Sequence, residues 1–364
     1  MGLKAIGIPD RMVRWIHLCI SSAHFSVSIN GLLHGFFQSS RGIRQGDPLS
    51  PYLFVLAMEG LGGILNKSTM DPSFKFHWRC RQNRITHLSF ADDLMIFCQT
   101  DLASVGIIRV AMDSFSKISG LAINHDKSYV FLSGVDPDLR IAITNQLSFK
   151  PGTLPVKYLG VPLISTRLTY QNYVALIDRI TSRIKVWTSA SLTYAGRLQL
   201  VKSTLFSIQV YWSNMFILPC ATIKKIESIL SAFLWKGTTL THTGAKVAWT
   251  SLCYPLQKGG LGIKSIKTWN KAALLKHVWR LLSEGTSLWV SWVHSVLLRR
   301  HCFWYTNVPS SSSWSWRKIL QSRRWCKGMF TPCIGNDRDT FLWLDYWLPD
   351  NKRFCDLFPF RVLS

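Results

Sequence analysis

The stretch Ile85–Gln99, ITHLSFADDLMIFCQ, constrains the fold more than any other part of the sequence. Two apolar runs rich in β-forming residues, Ile85–Phe90 and Leu94–Cys98, flank the adjacent aspartates Asp92 and Asp93. The interval between the runs is too short for a long loop. The pattern therefore predicts a tight β-hairpin with the acidic pair at its turn.

The acidic pair is a candidate metal site. Adjacent carboxylates repel each other, and we expect the apolar strands to bury the base of their turn, which is unfavourable without a cation. Mg²⁺ accepts oxygen ligands from one or two carboxylates and keeps positions for substrate phosphates. A solvated Asp-Asp turn that holds no ion is the alternative, and the residues alone leave it open.

The composition predicts a folded protein of two or three domains. The chain has 364 residues, of which 48% are hydrophobic and 13% aromatic, enough for a sizeable core. No apolar run reaches the ~18 residues of a membrane helix, so we expect no membrane partner. The nine cysteines form no CxxC motif, which favours reduced thiols without a zinc knuckle. We expect an intracellular protein that acts in the nucleus.

The charge is concentrated in the middle of the chain. The net charge is +24, and residues 139–336 carry 26 Lys and Arg against only 3 acidic residues. An ordinary solvated surface mixes both signs, whereas a field of one sign attracts polyanions. The pattern predicts nucleic-acid binding. An acidic protein partner, or a contribution to solubility alone, is the alternative.

A second candidate site precedes a predicted helix, in the segment SSRGIRQGDPLSPYLFVLAMEGL. Asp47 and Pro48 are expected to cap a helix over 48–65. Ahead of that helix, the loop carries hydrogen-bond donors and glycines that allow close backbone approach: Arg41, Gly42, Arg44, Gln45 and Gly46. Such a loop at a helix N-terminus suits a phosphate or nucleotide. A capped core helix alone would explain Asp47 and Pro48 but not the donors.

The patterning changes along the chain. Up to about residue 165 we predict short strands, turns and two helices, whereas 3.6-residue periodicity dominates 166–284 and Trp residues crowd 285–364. The strand predictions are a hairpin around Asn30-Gly31, a pair Phe74–Cys80 and Arg84–Phe90, the segments Gly120–Asn124 and Ser128–Leu132, and Pro155–Leu163. The helix predictions are Leu102–Ile118, 170–188, 192–212, 221–235 and 265–282.

Four sequence motifs occur in an order that is typical of one protein family. RGIRQGDPLSPYLFVL, FADD, GLAINHDKS and VKYLGVPL resemble, in order and spacing, the reverse transcriptase of LINE-type (non-LTR) retrotransposons, especially the plant-type group. The resemblance continues through LQLVKSTLFSIQVYW and KGGLGIKSIKTWNKAALLKHVWRLL. The tail segments SWSWRKIL and FLWLDYWLPD are similar to the start of the module that follows such polymerases.

The resemblance implies an α+β fold and a polymerase function. Residues 1–165 would form an incomplete palm, an antiparallel sheet backed by helices 48–65 and 102–118. Residues 166–284 would form a basic helical thumb, and 285–364 a Trp-rich fragment of the C-terminal module. The implied partners are an RNA template and a DNA primer, and the implied cofactor is Mg²⁺ or Mn²⁺. The oligomeric state stays open.

The resemblance also implies roles for individual residues. Asp92 and Asp93 would hold the metal at the catalytic centre, and Lys127 would protonate the leaving pyrophosphate. Gln45 and Gly46, with the donors Arg41 and Arg44, would contact the incoming nucleotide. The turn formed by Tyr158, Leu159 and Gly160 would position the primer.

One catalytic group of the family is missing from this sequence. In the reverse transcriptases that this sequence resembles, a third carboxylate comes from an earlier palm strand, upstream of the arginine-glycine loop. Here the only acid before Asp47 is Asp10, whose Pro-Asp context fits a helix start. We therefore expect an N-terminally truncated or degenerate copy that is inactive alone. The alternatives are a non-catalytic nucleic-acid-binding remnant and an intron-maturase-like splicing factor.

Overall fold

The chain folds into two compact units in the computed structural model, Met1–Thr153 and Leu154–Ser364. Helices and small, mostly antiparallel sheets make the fold α+β, as expected. None of the described helices is both long and apolar enough to cross a membrane. The structure describes residues 2–5, 7–39, 42–164, 169–188, 192–237, 245–283, 287–299, 301–310, 312–330, 341–345, 347–348, 350 and 352–358.

The first unit combines five helices with six strands among its described residues. The helices are α1 Gly2–Ala5, α2 Asp10–Ser21, α3 Ser50–Ser68, α4 Leu102–Ser119 and α5 Pro137–Leu147. The strands are β1 His24–Ile29, β2 Leu32–Gln38, β3 His87–Phe90, β4 Asp93–Ile96, β5 Tyr129–Val130 and β6 Lys150–Pro151. The pairs β1–β2 and β3–β4 are antiparallel, and β5–β6 is parallel. They form separate two-stranded sheets, not the single sheet that we expected.

The core of the first unit lies between α3 and α4. Its buried residues are Leu61, Leu65, Phe74, Ile108, Ala111 and Phe115. Leu61 and Leu65 are four residues apart, as are Ala111 and Phe115, so each pair lies on one helix face. Leu94 and Ile96 of β4 pack against this cluster. The β3–β4 hairpin is thereby held on the helical core.

Local signals place two of these elements where the sequence predicts them. Asn30 and Gly31 have φ values of 50° and 83°, the left-handed pair that a type I′ hairpin turn requires between β1 and β2. Helix α4 begins after Asp101, whose side chain accepts a hydrogen bond from the Ser104 amide at 2.9 Å. It ends at Gly120, which has a φ of 72°.

Other predictions for the first unit were wrong in detail. Helix α3 begins at Ser50, because Asp47 accepts a hydrogen bond from the Leu49 amide at 2.8 Å and so forms a turn ahead of the helix. Phe74–Cys80 is not a strand, since its last residues turn and the Cys80 amide donates to the His77 carbonyl at 2.8 Å. Gly120–Asn124 is not a strand either, because the segment follows a helix cap and pairs with no neighbour.

The second unit is mostly helical. Its strands are β7 Val156–Tyr158 and β8 Val161–Leu163, which pair in an antiparallel hairpin. Its helices are α6 Tyr170–Thr188, α7 Tyr194–Leu200, α8 Phe206–Met215, α9 Cys220–Lys236, α10 Trp249–Leu252, α11 Ile266–Leu282, α12 Leu288–Trp292, α13 Trp314–Cys326 and α14 Phe354–Leu357. One π-helical segment, Val201–Leu205, joins α7 to α8, and another, Val293–Leu298, continues α12. The four helices predicted between residues 170 and 282 are confirmed, the second as α7, a π-helical segment and α8.

Two apolar clusters support the second unit. The larger one includes Tyr173, Leu176, Ile180, Leu205, Ile226 and Phe233. The smaller one includes Val278 and Leu281 of α11 with Ile319, Leu320 and Cys326 of α13. Because α11 contributes to both clusters, it connects the two halves of this unit.

Candidate functional site

The aspartate pair lies at the tip of the β3–β4 hairpin, as predicted. Phe90 pairs with Asp93, so the loop consists of Ala91 and Asp92, and Asp93 is the first residue of β4. Ala91 has a φ of 50°, a conformation that the first central residue of a type II′ turn adopts. The two-residue turn therefore fixes adjacent carboxylates at one end of the hairpin.

The surroundings of the pair differ from the expectation. Both aspartates are exposed, and so is the base of their turn, where Phe90 is 63% and Leu88 41% exposed. The expected burial of this base was wrong, because only the residues of β4 pack on the α3–α4 core while the apolar side chains of β3 face outwards. Neither carboxylate has a hydrogen-bond or ion-pair partner among the described residues.

The donor set fits a hard divalent cation, but with few protein ligands. Two carboxylates that are not engaged elsewhere can supply oxygen ligands to Mg²⁺ or Mn²⁺ and leave positions for water and phosphate. Within the described ranges, no group of three or more His, Cys, Asp or Glu residues is arranged to hold a metal. The hairpin tip can therefore provide the carboxylates for one ion.

The loop before α3 is built around two glycines in the left-handed region. Gly42 and Gly46 have φ values of 87° and 86°, and beyond the adjacent residues no described atom lies within 4 Å of where a Cβ would stand on either. The Arg44 carbonyl accepts hydrogen bonds from the Ser50 hydroxyl and the Asp47 amide, which ties the loop to the start of α3. Arg44 and Gln45 are exposed, and Arg41 lies outside the described residues.

Lys127 ends a short 3₁₀ turn, His125–Lys127. The Asn124 side chain accepts a hydrogen bond from the Lys127 amide at 3.1 Å, which fixes the backbone of the turn. The neighbouring Asp126 pairs with Lys150 at 3.2 Å. The Lys127 ammonium is exposed and has no ion-pair partner in the part of the first unit that the structure describes.

These three groups remain distinct features of the first unit. No hydrogen bond or ion pair between described residues joins the Asp92–Asp93 turn to Lys127 or to the loop 42–46. Their proximity within one active site stays a prediction. Exposed polar groups that form no direct hydrogen bond can still be joined by a substrate, a metal ion or a bridging water molecule.

The predicted primer-positioning residues belong to the second unit. Tyr158 pairs with Val161, so Leu159 and Gly160 form a two-residue turn with φ values of 48° and 79°. The Leu159 carbonyl accepts a hydrogen bond from the Tyr211 hydroxyl at 2.6 Å, which anchors the turn to α8. Sequence reasoning missed Tyr211, because 52 residues separate it from Leu159 and no local pattern marks the contact.

Three of the described cysteines have strongly raised pKa values. All eight are unpaired, as expected. Burial raises the pKa of Cys98 and of Cys253 to about 11, and that of Cys302 to about 12. These three side chains are therefore thiols at neutral pH, and a thiol is a poor nucleophile and metal ligand.

Comparison with known proteins gives one family and several relatives. The profile of the family described as "Reverse transcriptase (RNA-dependent DNA polymerase)" matches residues 2–163. The chain is 28% identical over 290 residues to a 149 kDa protein of transposon TX1 from Xenopus laevis, covering 78% of this chain and 21% of that protein. It is 25% identical over 275 residues to the Pol polyprotein of the type-2 retrotransposable element R2DM from Drosophila melanogaster, covering 73% and 25%.

A shorter relative matches over most of its length. An uncharacterized mitochondrial protein of Arabidopsis thaliana is 38% identical over 111 residues, which cover 30% of this chain and 89% of that protein. By contrast, the chain spans at most a quarter of the length of the two transposon proteins.

Proposed function

Because the chain belongs to the reverse transcriptase family of LINE-type (non-LTR) retrotransposons, we propose that it carries the metal-binding hairpin of an RNA-directed DNA polymerase site. The observation that supports this proposal is the pair of exposed, unpartnered carboxylates of Asp92 and Asp93 at a two-residue turn. Together they would hold Mg²⁺ or Mn²⁺. The bound ion would supply positive charge that activates the 3′-hydroxyl of the primer and neutralises the leaving phosphates.

The other candidate residues would act on the substrates. Arg44, Gln45 and Gly46 would donate hydrogen bonds to the incoming nucleotide, with Arg41 as a further donor. Lys127 would donate a proton to the leaving pyrophosphate, a role that suits its exposed ammonium. The Tyr158–Gly160 turn would position the primer end, and the Tyr211 hydrogen bond would hold that turn in place.

Each of the three sections of the chain would have its own role in the polymerase. Residues 1–165 would act as part of a palm, the helices of 166–284 as a thumb, and 285–364 as a fragment of a C-terminal module. The helices between Tyr170 and Leu282 carry many Lys and Arg and few acids, as a surface for an RNA template and DNA primer would.

The 364-residue chain would lack one metal-clamping group. A second ion needs a carboxylate on a facing strand, which offsets repulsion between the ions. Four other acids of the first unit already have partners: Asp10 pairs with Lys4 at 2.7 Å, Asp113 with Arg109 at 3.9 Å and Asp126 with Lys150 at 3.2 Å, while Asp47 accepts from the Leu49 amide. Loss of such a group costs on the order of 10³-fold in rate.

We predict that the purified chain binds one Mn²⁺ but does not extend a primer. Titration followed by electron paramagnetic resonance should show an ion that is lost in the double variant Asp92→Asn, Asp93→Asn. The matched control is Asp136→Asn with Asp138→Asn, another pair of nearby exposed carboxylates, which should bind as the wild type does. With an RNA template, DNA primer, dNTPs and Mg²⁺ or Mn²⁺, no extension above background is expected.

Two outcomes would contradict this proposal. If the double variant binds Mn²⁺ as the wild type does, the hairpin tip is not the metal site. If the wild-type chain extends the primer and Asp92→Asn abolishes the extension, a further acid completes the site. A chain that binds RNA but no Mn²⁺ would act as a nucleic-acid-binding protein, and the basic middle section favours this second function.

A further inference from the structure

A group of aromatic and basic side chains lies on α11, on α13 and just after α13. The tryptophans Trp279 and Trp325 are large and apolar, yet 61% and 40% exposed. The Trp279 ring stacks on Phe330, with centroids 6.2 Å apart and an angle of 25° between the planes. The Lys271 ammonium lies 5.7 Å from the centroid of the Trp325 ring. Lys276, one turn before Trp279, is exposed as well.

The helices that carry this group have one sign of charge. Helix α11 contains Lys267, Lys271, Lys276 and Arg280, and α13 contains Arg317, Lys318, Arg323 and Arg324, with no acidic residue in either helix. Neither Lys271 nor Lys276 forms a salt bridge with any described residue. Exposed Trp rings beside lysines without salt bridges suit a ligand that carries aromatic bases along a negatively charged backbone.

We infer that Lys271, Lys276, Trp279, Trp325 and Phe330 form a stacking surface for single-stranded nucleic acid. The inference rests on the proposed nucleic-acid-binding function and adds the kind of strand that this part of the chain takes. Bases in a single strand can stack on the exposed Trp rings, whereas a duplex hides the faces of its bases and offers mainly phosphates. Lys271 and Trp279 are about 12 Å apart along the helix axis and about 80° apart around it, and Trp279 lies between Lys271 and Lys276 in angle. The surface therefore runs obliquely across the exposed side of the helix.

The packing of its neighbours fixes the orientation of Trp279. Its neighbours Val278 and Leu281 are buried in the α11–α13 cluster, which holds this turn of α11 in place. Phe330 covers one side of the indole and keeps the ring from turning freely. A ring held in one orientation loses less conformational entropy when a base stacks on it.

The test measures binding of the full chain to three fluorescent 12-mers by anisotropy. One is single-stranded RNA, one is the same strand in a duplex, and one has abasic sites throughout, so that it keeps its phosphates but has no bases. Trp279→Ala should weaken binding of the single strand by about 5- to 100-fold, without changing the salt dependence of the affinity. Binding of the abasic strand should change less than twofold.

The controls separate stacking from charge and from folding. Trp78→Ala removes a Trp of similar exposure, 66%, that also has an arginine, Arg79, over its ring. Because Trp78 lies outside the basic section 139–336, this variant should leave the affinity within twofold. Trp279→Phe should keep most of the affinity. Lys276→Gln should lower the slope of log affinity against log salt by about one. If Trp279→Ala loses its helical circular dichroism, Trp325→Ala takes its place.

The outcomes distinguish this inference from the proposed function. Equal loss of RNA and abasic-strand binding in Trp279→Ala, or no loss at all, would overturn the stacking surface and leave the nucleic-acid-binding function standing. A wild-type chain that binds none of the strands would reject both. Competition by poly-glutamate as effective as by RNA would assign the surface to acidic proteins and overturn the inference.

Discussion

At the residue scale, the backbone conformation of Ala91 determines which residues are tolerated at this position of the acidic turn. Its φ of 50° places an ordinary L-residue in the left-handed region, which costs roughly 1–2 kcal/mol relative to the right-handed region. Glycine has no such cost, whereas a β-branched side chain is still less tolerated there. The Ala91-Asp92 turn thus stores a small strain beside the two aspartates.

We predict different effects on stability for two substitutions at this position. Ala91→Gly should change the free energy of unfolding of the chain by less than about 1 kcal/mol, because relief of strain offsets the greater freedom of the unfolded chain. Ala91→Val should lower it by about 1–2 kcal/mol. Urea denaturation followed by circular dichroism measures both. The same pair at Ala122, which is exposed and has no positive φ, should not show this order.

At the element scale, Asn270 of α11 links the end of α8 to the segment after it. Its amide group donates to the carbonyls of Ser213 and Phe216, each at 2.9 Å, and its carbonyl accepts from the Leu218 amide at 2.9 Å. Asn270 is only 5% exposed. Its removal would therefore leave buried backbone groups without partners, which costs about 1–3 kcal/mol for each.

We predict that Asn270→Ala lowers the free energy of unfolding by about 3 kcal/mol or more. Thr268→Ala, at an exposed position of the same helix, should change it by less than about 0.5 kcal/mol. Thermal and urea unfolding of both variants give the comparison. A loss below about 1 kcal/mol in Asn270→Ala would show that water replaces the lost hydrogen bonds.

The elements differ in how well the sequence predicts them. Asn30-Gly31 and the Asp101 cap act within a few residues, so the sequence alone predicts the first hairpin and α4 correctly. The exposure of Phe90 and the role of Asn270 depend on contacts between distant segments. We expected the base of the acidic turn at Phe90 to be buried, and that expectation fails for this reason, whereas no local pattern in the sequence marks the role of Asn270.

At the scale of the whole molecule, charge is the dominant feature. The section 139–336 has 26 basic and 3 acidic residues, so binding to phosphates would release many counterions. We predict that the affinity for RNA falls steeply, about 10³-fold if six phosphates are contacted, between ~50 and ~200 mM salt. Anisotropy titrations at several salt concentrations measure the slope.

Charge-removing variants locate the contacts that produce this slope. Lys224→Gln with Lys225→Gln, on the exposed side of α9, should lower the slope by about two. The matched pair Arg11→Gln with Arg14→Gln, on α2, should leave it unchanged. Equal affinity of the wild-type chain at both salt concentrations would mean that the charge of 139–336 does not contact phosphates.

The separate cores of the two units have a consequence for inheritance. The Leu65 cluster and the Ile226 cluster lie in different units and share no residue, so a substitution in one cluster removes packing from that core alone. Mutations can therefore accumulate in the aspartate-bearing unit while the basic unit is still maintained by selection. A copy that has lost the carboxylates of Asp92 and Asp93 in this way would still keep the apolar core of the basic unit.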